Sequence, residues 1–150
     1  MATQPSDSFD LQRFVRAQDQ VYSQVLREFR QGRKTSHWMW FVFPQLRGLG
    51  FSSTAQHFGI TSRAEAQAYL EHPVLGARLR ECTALLLQVR GKSAREILGS
   101  PDDMKFRSSV TLFAEVSPLE VDTALFMSAL TTFYGGAKDE RTLSLLSGWT

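Results

Sequence analysis

One lysine and two serines recur at helical spacing after Pro101 and could together hold an anion. Lys105 lies three residues before Ser108 and four before Ser109, so in a helix these side chains project from one face. Serines are poor helix-interior residues, and a cation beside two hydroxyl donors suits a phosphate or a carboxylate. The structural alternative is that the hydroxyls bond to the carbonyls of the preceding turn while Lys105 pairs with Asp102. We predict ligand-binding roles for Lys105, Ser108 and Ser109.

A second group of polar and aromatic side chains lies in residues 36–46, the densest apolar stretch of the chain. Trp38 and Trp40 could offer ring faces on which a base or a sugar stacks. His37 titrates near neutral pH and could be a general acid or base, whereas Gln45 carries the donor and acceptor that a base edge needs. Alternatively, the rings only fill the core and His37 bonds to the backbone. We predict ligand-binding roles for Trp38, Trp40 and Gln45, with His37 as a catalytic candidate.

The sequence contains none of the short motifs that identify common catalytic or cofactor sites. A Gly-rich phosphate loop, His-Glu-x-x-His, Cys-x-x-Cys and Gly-x-Ser-x-Gly are all missing. The histidines, at 37, 57 and 72, are not spaced as metal ligands on one helix. The single cysteine, Cys82, lies among leucines and is typical of a buried core residue. We therefore predict neither a metal site nor a cofactor.

Composition places the chain among ordinary globular proteins and limits its partners. Its 150 residues suit one domain, and 43% of them are hydrophobic and 21% charged. The net charge of +2 is spread along the chain, which argues against nucleic acid as a partner. No apolar run approaches the roughly 20 residues that span a bilayer, and residues 1–8 lack the pattern of a signal peptide. With one cysteine and no internal disulfide, we predict a cytoplasmic protein with no membrane partner.

The aromatic stretch and the lysine–serine segment must each be positioned by a regular element. Residues 36–43 fit a strand or a buried helix, but no other stretch alternates as a partner strand would. We therefore predict a short helix there, capped by Ser36 and ended by Pro44. A serine, a proline and two acids at 100–103 predict the start of the helix that carries Lys105.

Start and stop signals along the rest of the chain predict an all-α fold. Asp10 and Asp19 are placed to begin two helices near the N-terminus, and Gly32 is placed to end the second. Further helix starts are predicted at the serines 52, 62 and 93, at His72-Pro73, at Pro118 and at Asp139. Together they give a compact orthogonal bundle of about seven to nine helices, several of them short, over residues 9–150. A disordered N-terminal arm is predicted at 1–8.

Three motifs follow one another along the chain: GRKTSHWMWFVFPQ at 32–45, HPVLGARL at 72–79 and DMKFRSSVTLF at 103–113. In this combination the chain resembles the family called domain of unknown function 1810. The resemblance covers residues 9–146 and implies a compact α-helical domain of uncharacterised function, mostly bacterial, with no assigned catalytic residues. Some members carry a calpastatin label, which does not fit here, because calpastatin-type inhibitors are long disordered chains and this chain is rich in core residues.

These features favour an anion-binding pocket between the aromatic stretch and the helix of Lys105. The basic pair at 33–34 could add positive potential at its mouth. We predict an anionic small-molecule ligand such as a nucleotide or an ADP-ribose derivative, on an analogy only at the level of the fold. Hydrolysis of a glycosidic or phosphate bond would need His37, Asp102 or Asp103 as general acid or base. The alternative is a helical protein–protein interaction module without catalysis, which would expose a contiguous apolar patch.

Overall fold

Ten α-helices are found in a computed structural model that describes residues 7–149. In chain order they are α1 (Gln12–Asp19), α2 (Tyr22–Gln31), α3 (Met39–Val42), α4 (Ser53–His57), α5 (Arg63–Glu71), α6 (Leu75–Gln88), α7 (Ala94–Leu98), α8 (Asp102–Val116), α9 (Glu120–Tyr134) and α10 (Glu140–Ser147). No helix in this part of the chain is long and apolar enough to cross a membrane. The prediction of a compact all-α fold is confirmed, and the short α3, α4 and α7 bring the number of helices to ten.

The core is built around α8, which packs against α5, α7, α9 and α10. Phe106 and Phe113 on this helix are fully buried. The rings of Phe43 and Phe106 lie 4.8 Å apart between centroids, so the end of the aromatic stretch packs directly against α8. Trp38 is also fully buried. The aromatic stretch and the lysine-bearing helix are therefore neighbours in the core.

The aromatic stretch forms a helix, as predicted, but a shorter one whose start is not at Ser36. Helix α3 covers only Met39–Val42, and Trp38 precedes it without a side-chain cap. The Ser36 hydroxyl instead donates to the carboxylate of Glu28 on α2. The chain leaves the helix at Phe43, and Leu46 forms a single parallel bridge with Ile60. The segment is thus held by side-chain bonds before the helix and by backbone bonds after it.

The two aspartates expected to cap the first helices do not do so. The carboxylate that caps α1 belongs to Asp7, whose oxygens accept the N–H groups of Leu11 at 2.6 Å and of Gln12 at 3.0 Å. Asp10 has a φ of 52°, and Asp19 is the last residue of α1 and pairs with Arg78. Of the arm predicted at 1–8, residues 1–6 lie outside the described residues, and Asp7 is bonded to α1.

Most other predicted helix starts and stops are confirmed. Ser52 accepts the N–H of Ala55 at the start of α4, and Asp139 accepts that of Thr142 at the start of α10. Ser93 and Glu96 form a complete capping box on α7. Gly32 ends α2 with a φ of 73°, a conformation that a glycine adopts without strain.

The packing around the turn between α5 and α6 depends on a glycine within the second motif and on an ion pair formed by the residue that follows the motif. A Cβ atom on Gly76 would lie 2.0 Å from the carbonyl oxygen of Leu70, so the two helices approach closely only because no side chain is present. Four residues later, Arg80 makes a bidentate pair with Asp122 of α9, with N–O distances of 2.7 and 2.8 Å. Gly76 and Arg80 together therefore join α5, α6 and α9.

Candidate functional site

One cleft brings together three of the residues predicted to bind a ligand: Trp40, Gln45 and Lys105. Its cavity volume is about 10 Å³, roughly the space that one water molecule needs. The remaining wall is mostly apolar and is formed by Met39, Phe43, Ala55, Phe58 and Gly59. The aromatic segment thus supplies one side of the cleft, α8 supplies the cation, and the α4 segment supplies the opposite side.

The ammonium group of Lys105 lies over the indole ring of Trp40, with Nζ 4.7 Å from the ring centroid. This is cation–π geometry, in which the electron-rich face of the ring attracts the positive charge. Both side chains are partly buried, so the contact is held at the wall of the cleft and is not a loose surface encounter. The indole therefore fixes the position of a cation within the cleft.

Lys105 also belongs to an ion cluster with two cations and one carboxylate. Asp102 Oδ2 lies 2.7 Å from Lys34 Nζ, and Asp102 Oδ1 lies 3.5 Å from Lys105 Nζ. The Lys34 side chain is only 7% exposed and its Nζ lies 5.2 Å from the ring centroid of Trp38. Because Asp102 is bonded more closely to Lys34, one positive charge of the three-residue cluster is left over, and the longer distance assigns it to Lys105. The pairing of Lys34 with Asp102 was missed in the sequence because 68 residues separate the two.

The backbone of Gln45 is held by a hydrogen bond, whereas its side-chain amide is not. Its carbonyl oxygen accepts the N–H of Ile60 at 3.0 Å, next to the bridge that Leu46 forms. The side-chain amide makes no hydrogen bond to any of residues 7–149, although Gln45 is partly buried at the cleft. An amide in that position keeps both its donors and its acceptor for a ligand.

Arg13 holds the far wall of the cleft in place through α4. Its Nε donates to the carbonyl of His57 at 2.8 Å, and its terminal nitrogen donates to that of Gly59 at 3.3 Å. The same nitrogen lies 2.8 Å from Glu65 Oε2, and both side chains of this pair are almost fully buried. In the sequence, Glu65 is only an acid in the first turn of the helix that begins at Ser62, whereas in the fold its carboxylate anchors Arg13 and accepts the N–H of Thr61.

Glu28 holds the other wall by fixing the segment that leads into α3. This residue is fully buried, and its carboxylate accepts hydrogen bonds from Gln24, from Ser36 through both backbone and hydroxyl, from the backbone of Thr35 and from Trp38 Nε1 at 3.0 Å. Burial alone would raise the pKa of Glu28, but these donors outweigh it and lower the pKa from 4.5 to about 2. The sequence shows an acid on a helix face but not the donors, which come from a different segment.

Two predicted residues of the aromatic segment stay away from the cleft. Trp38 is fully buried and donates its indole N–H to Glu28, so its ring offers no open face to a ligand. His37 is exposed and is not among the cleft residues. Within residues 7–149, no three histidine, cysteine, aspartate or glutamate side chains lie close enough to hold a metal ion.

The serine pair and Asp103 point elsewhere in the fold. Ser108 Oγ lies 2.9 Å from Asp139 Oδ2 and 3.1 Å from the carbonyl oxygen of Met104, so this hydroxyl serves the start of α10. Ser109 is fully buried and its Oγ has no hydrogen-bond partner among the described residues. Asp103 Oδ1 is buried and likewise without a described partner. None of the three lines the cleft, so Lys105 is the member of the predicted face that reaches it.

Comparison with known proteins gives a family and a fold but no activity. Residues 8–146 match a family described as protein of unknown function (DUF1810). The crystal structure of a conserved hypothetical protein, Rv1873, from Mycobacterium tuberculosis is similar, with 55% sequence identity and a TM-score of 0.90. The similarity covers 94% of this chain and 99% of that chain. No curated protein matches the chain.

Proposed function

The chain belongs to the DUF1810 family of proteins of unknown function, and from the geometry of its cleft we propose that it binds an anionic small molecule, such as a nucleotide or an ADP-ribose derivative. The observation that carries the proposal is the position of Lys105 on the cleft wall, over Trp40 and with charge that Asp102 does not fully neutralise. A phosphate or carboxylate oxygen beside this ammonium would gain a charge-assisted hydrogen bond. The amide of Gln45 would add a neutral donor to the same group.

The size of the cleft limits which part of such a ligand it holds. Pockets that enclose a drug-sized ligand typically have volumes of roughly 300–1,000 Å³. At about 10 Å³, the cavity of this cleft is far smaller, so a ligand would contact Lys105 and Gln45 at the mouth of the cleft and would lie mostly outside it. Lys105 is the one titratable residue among those that line the cleft. We therefore propose that the cleft binds a ligand, and we do not assign it a reaction. Hydrolysis with His37, Asp102 or Asp103 is a separate hypothesis, and Asp102 is the nearest of these to the cation.

Calorimetric titration with inorganic phosphate, ribose 5-phosphate, AMP and adenosine tests the proposal. We expect the three phosphate-bearing probes to bind the wild type more tightly than adenosine, which carries no charge. The Lys105→Met variant, which keeps an apolar stem but loses the charge, should bind those three probes about tenfold more weakly, because a hydrogen bond to a charged group is worth about 1.5–3 kcal/mol. The matched control is Lys138→Met, which removes a lysine paired with Glu115 outside the cleft.

Two results would overturn the proposed function. In the first, none of the phosphate-bearing probes binds the wild type. In the second, Lys105→Met binds them as tightly as Lys138→Met does. Thermal unfolding of both variants establishes that they are folded, so that weaker binding reports on the charge and not on the fold.

A protein–protein interaction module is the alternative, and it has less support. Four large apolar side chains are strongly exposed among residues 7–149: Phe51, Met104, Leu119 and Val121. Leu119 and Val121 lie together at the start of α9, whereas the other two belong to different segments. Two side chains make a small patch compared with the contiguous apolar areas that mark typical interaction sites.

We also propose that the protein works in the cytoplasm. The support is Cys82, a free cysteine that is fully buried, since a protein without a disulfide is suited to a reducing compartment. Fractionation of cells that produce the protein at its natural level tests this, and recovery outside the cytoplasmic fraction would refute it.

A further inference from the structure

Phe51 is an exposed aromatic residue that follows Gly50, a residue packed against the wall of the cleft. Its exposed fraction of 80% is the highest among the large apolar residues that the structure describes. It forms no aromatic pair with any described residue, although most other phenylalanines pack ring against ring. A ring left in water forgoes the favourable free energy of burial, which a ligand that covers the ring would recover.

The chain is held against the rim of the cleft immediately before Phe51. A Cβ atom on Gly50 would lie 2.9 Å from Ala55 Cβ and 3.6 Å from Gln45 Nε2, and both of those residues line the cleft. The backbone after Gly50 is also fixed, because the carbonyl of Phe51 accepts the side-chain N–H of Gln56 at 3.1 Å. Phe51 therefore follows directly in the chain from a residue packed against Gln45 and Ala55, and its ring is uncovered.

A ligand held at Lys105 and Gln45 would lie mostly outside the cleft, where an aromatic side chain near Gly50 can contact it. One face of Trp40 is already occupied by the Lys105 ammonium, which leaves that face unavailable for stacking. The ring of Phe51 has no such partner among residues 7–149. Stacking of a nucleobase on an aromatic side chain accepts any base, since every base has a π face.

We infer that Phe51 is the stacking platform for a planar ring on the ligand, so that the ligand is an anion with an aromatic base and not a sugar phosphate alone. This inference rests on the proposed function, because it needs Lys105 and Gln45 to hold the anionic end. Lys105 and Gln45 at the cleft bind the anionic group of the ligand, and Phe51 binds its aromatic ring. A nucleoside phosphate has both parts, whereas ribose 5-phosphate has only the first.

The test compares AMP with ribose 5-phosphate by calorimetric titration of the full chain. The wild type should bind AMP about tenfold more tightly than ribose 5-phosphate, the lower part of the range measured for base stacking on aromatic side chains. Phe51→Ala should remove this preference and leave the affinity for ribose 5-phosphate unchanged, whereas Phe51→Trp should keep the preference. The matched control is Val121→Ala, which truncates another exposed apolar residue, 72% exposed on α9 and outside the cleft.

The outcomes separate failure of the inference from failure of the proposed function. If the wild type binds AMP and ribose 5-phosphate equally, the role of Phe51 is refuted while Lys105-dependent binding stands. Equal weakening of both probes by Phe51→Ala would also refute it, because a ring that only supports the loop would act on both. If the wild type binds neither probe, the proposed function falls and the inference falls with it.

Discussion

Replacement of Glu28 by glutamine tests how the wall of the cleft is held. Glutamine has nearly the same shape but no charge, and it turns one acceptor oxygen into a donor amide. The carboxylate at this fully buried position accepts from Thr35 at 2.7 Å and from Trp38 Nε1 at 3.0 Å, along with Ser36 and Gln24. We expect Glu28→Gln to destabilise the protein at neutral pH while leaving it folded.

The magnitude follows from the pKa of Glu28, which is lowered from 4.5 to about 2 in the folded protein. Each pH unit of difference corresponds to about 1.36 kcal/mol, so the ionised form adds roughly 3 kcal/mol to the free energy of unfolding at pH 7. Because the folded pKa is depressed, this stabilisation is present above pH 4.5 and is lost as the pH falls towards 2. At pH 3 about half of it should remain.

Urea unfolding of the wild type and Glu28→Gln, measured from pH 7 to pH 3, provides the assay. Other acids titrate equally in both proteins, so the difference between their free energies of unfolding isolates Glu28. Glu71→Gln is the matched control, since Glu71 is exposed at the end of α5 and its loss should change stability by less than about 0.5 kcal/mol. A wild-type-to-variant difference that stays constant from pH 7 to pH 3 would refute the reasoning.

Two further predictions concern the helix α6. Gly76→Ala should lower the free energy of unfolding by about 3 kcal/mol, because the new Cβ would lie 2.0 Å from the carbonyl oxygen of Leu70; an alanine that stabilised the helix, as propensity alone predicts, would contradict this. The Cys82 thiol should be unreactive towards a disulfide reagent at pH 8 until the protein unfolds, because burial raises its pKa to about 12; rapid labelling of the folded protein would disprove it.

The fold was predictable from the sequence wherever a helix end depends on nearby residues. Ser52, Asp139 and the capping box of Ser93 with Glu96 bond to atoms within a few residues, so local patterns suffice to find them. Asp19 was expected to begin a helix for the same kind of reason, but its carboxylate pairs with Arg78, 59 residues away. A local sequence pattern cannot show that a side chain forms an ion pair with a residue far away in the sequence.

The candidate site was predictable in part, for a related reason. Helical spacing shows that Lys105 and Ser108 can share a face of α8, but not which neighbour meets each part of that face. In the fold, Lys105 meets Trp40, whereas Ser108 meets Asp139 of the segment before α10. Arg13 was not singled out at all, since nothing in its surrounding sequence indicates that it bonds to His57 and Gly59 backbones 44 and 46 residues away.

The polar side chains of the first motif fall into two groups: those that already form hydrogen bonds or ion pairs within the fold, and those that do not. Ser36 and the indole N–H of Trp38 bond to Glu28, and Lys34 bonds to Asp102, so these groups explain how the segment is held. The amide of Gln45 has no such bond among residues 7–149 and faces the cleft. Unlike Asp103 Oδ1 and Ser109 Oγ, the amide of Gln45 is accessible to solvent, so water or a ligand can form hydrogen bonds with it. Gln45, which lines the cleft with Lys105, is therefore the residue of this motif whose side chain is available to the ligand that we propose.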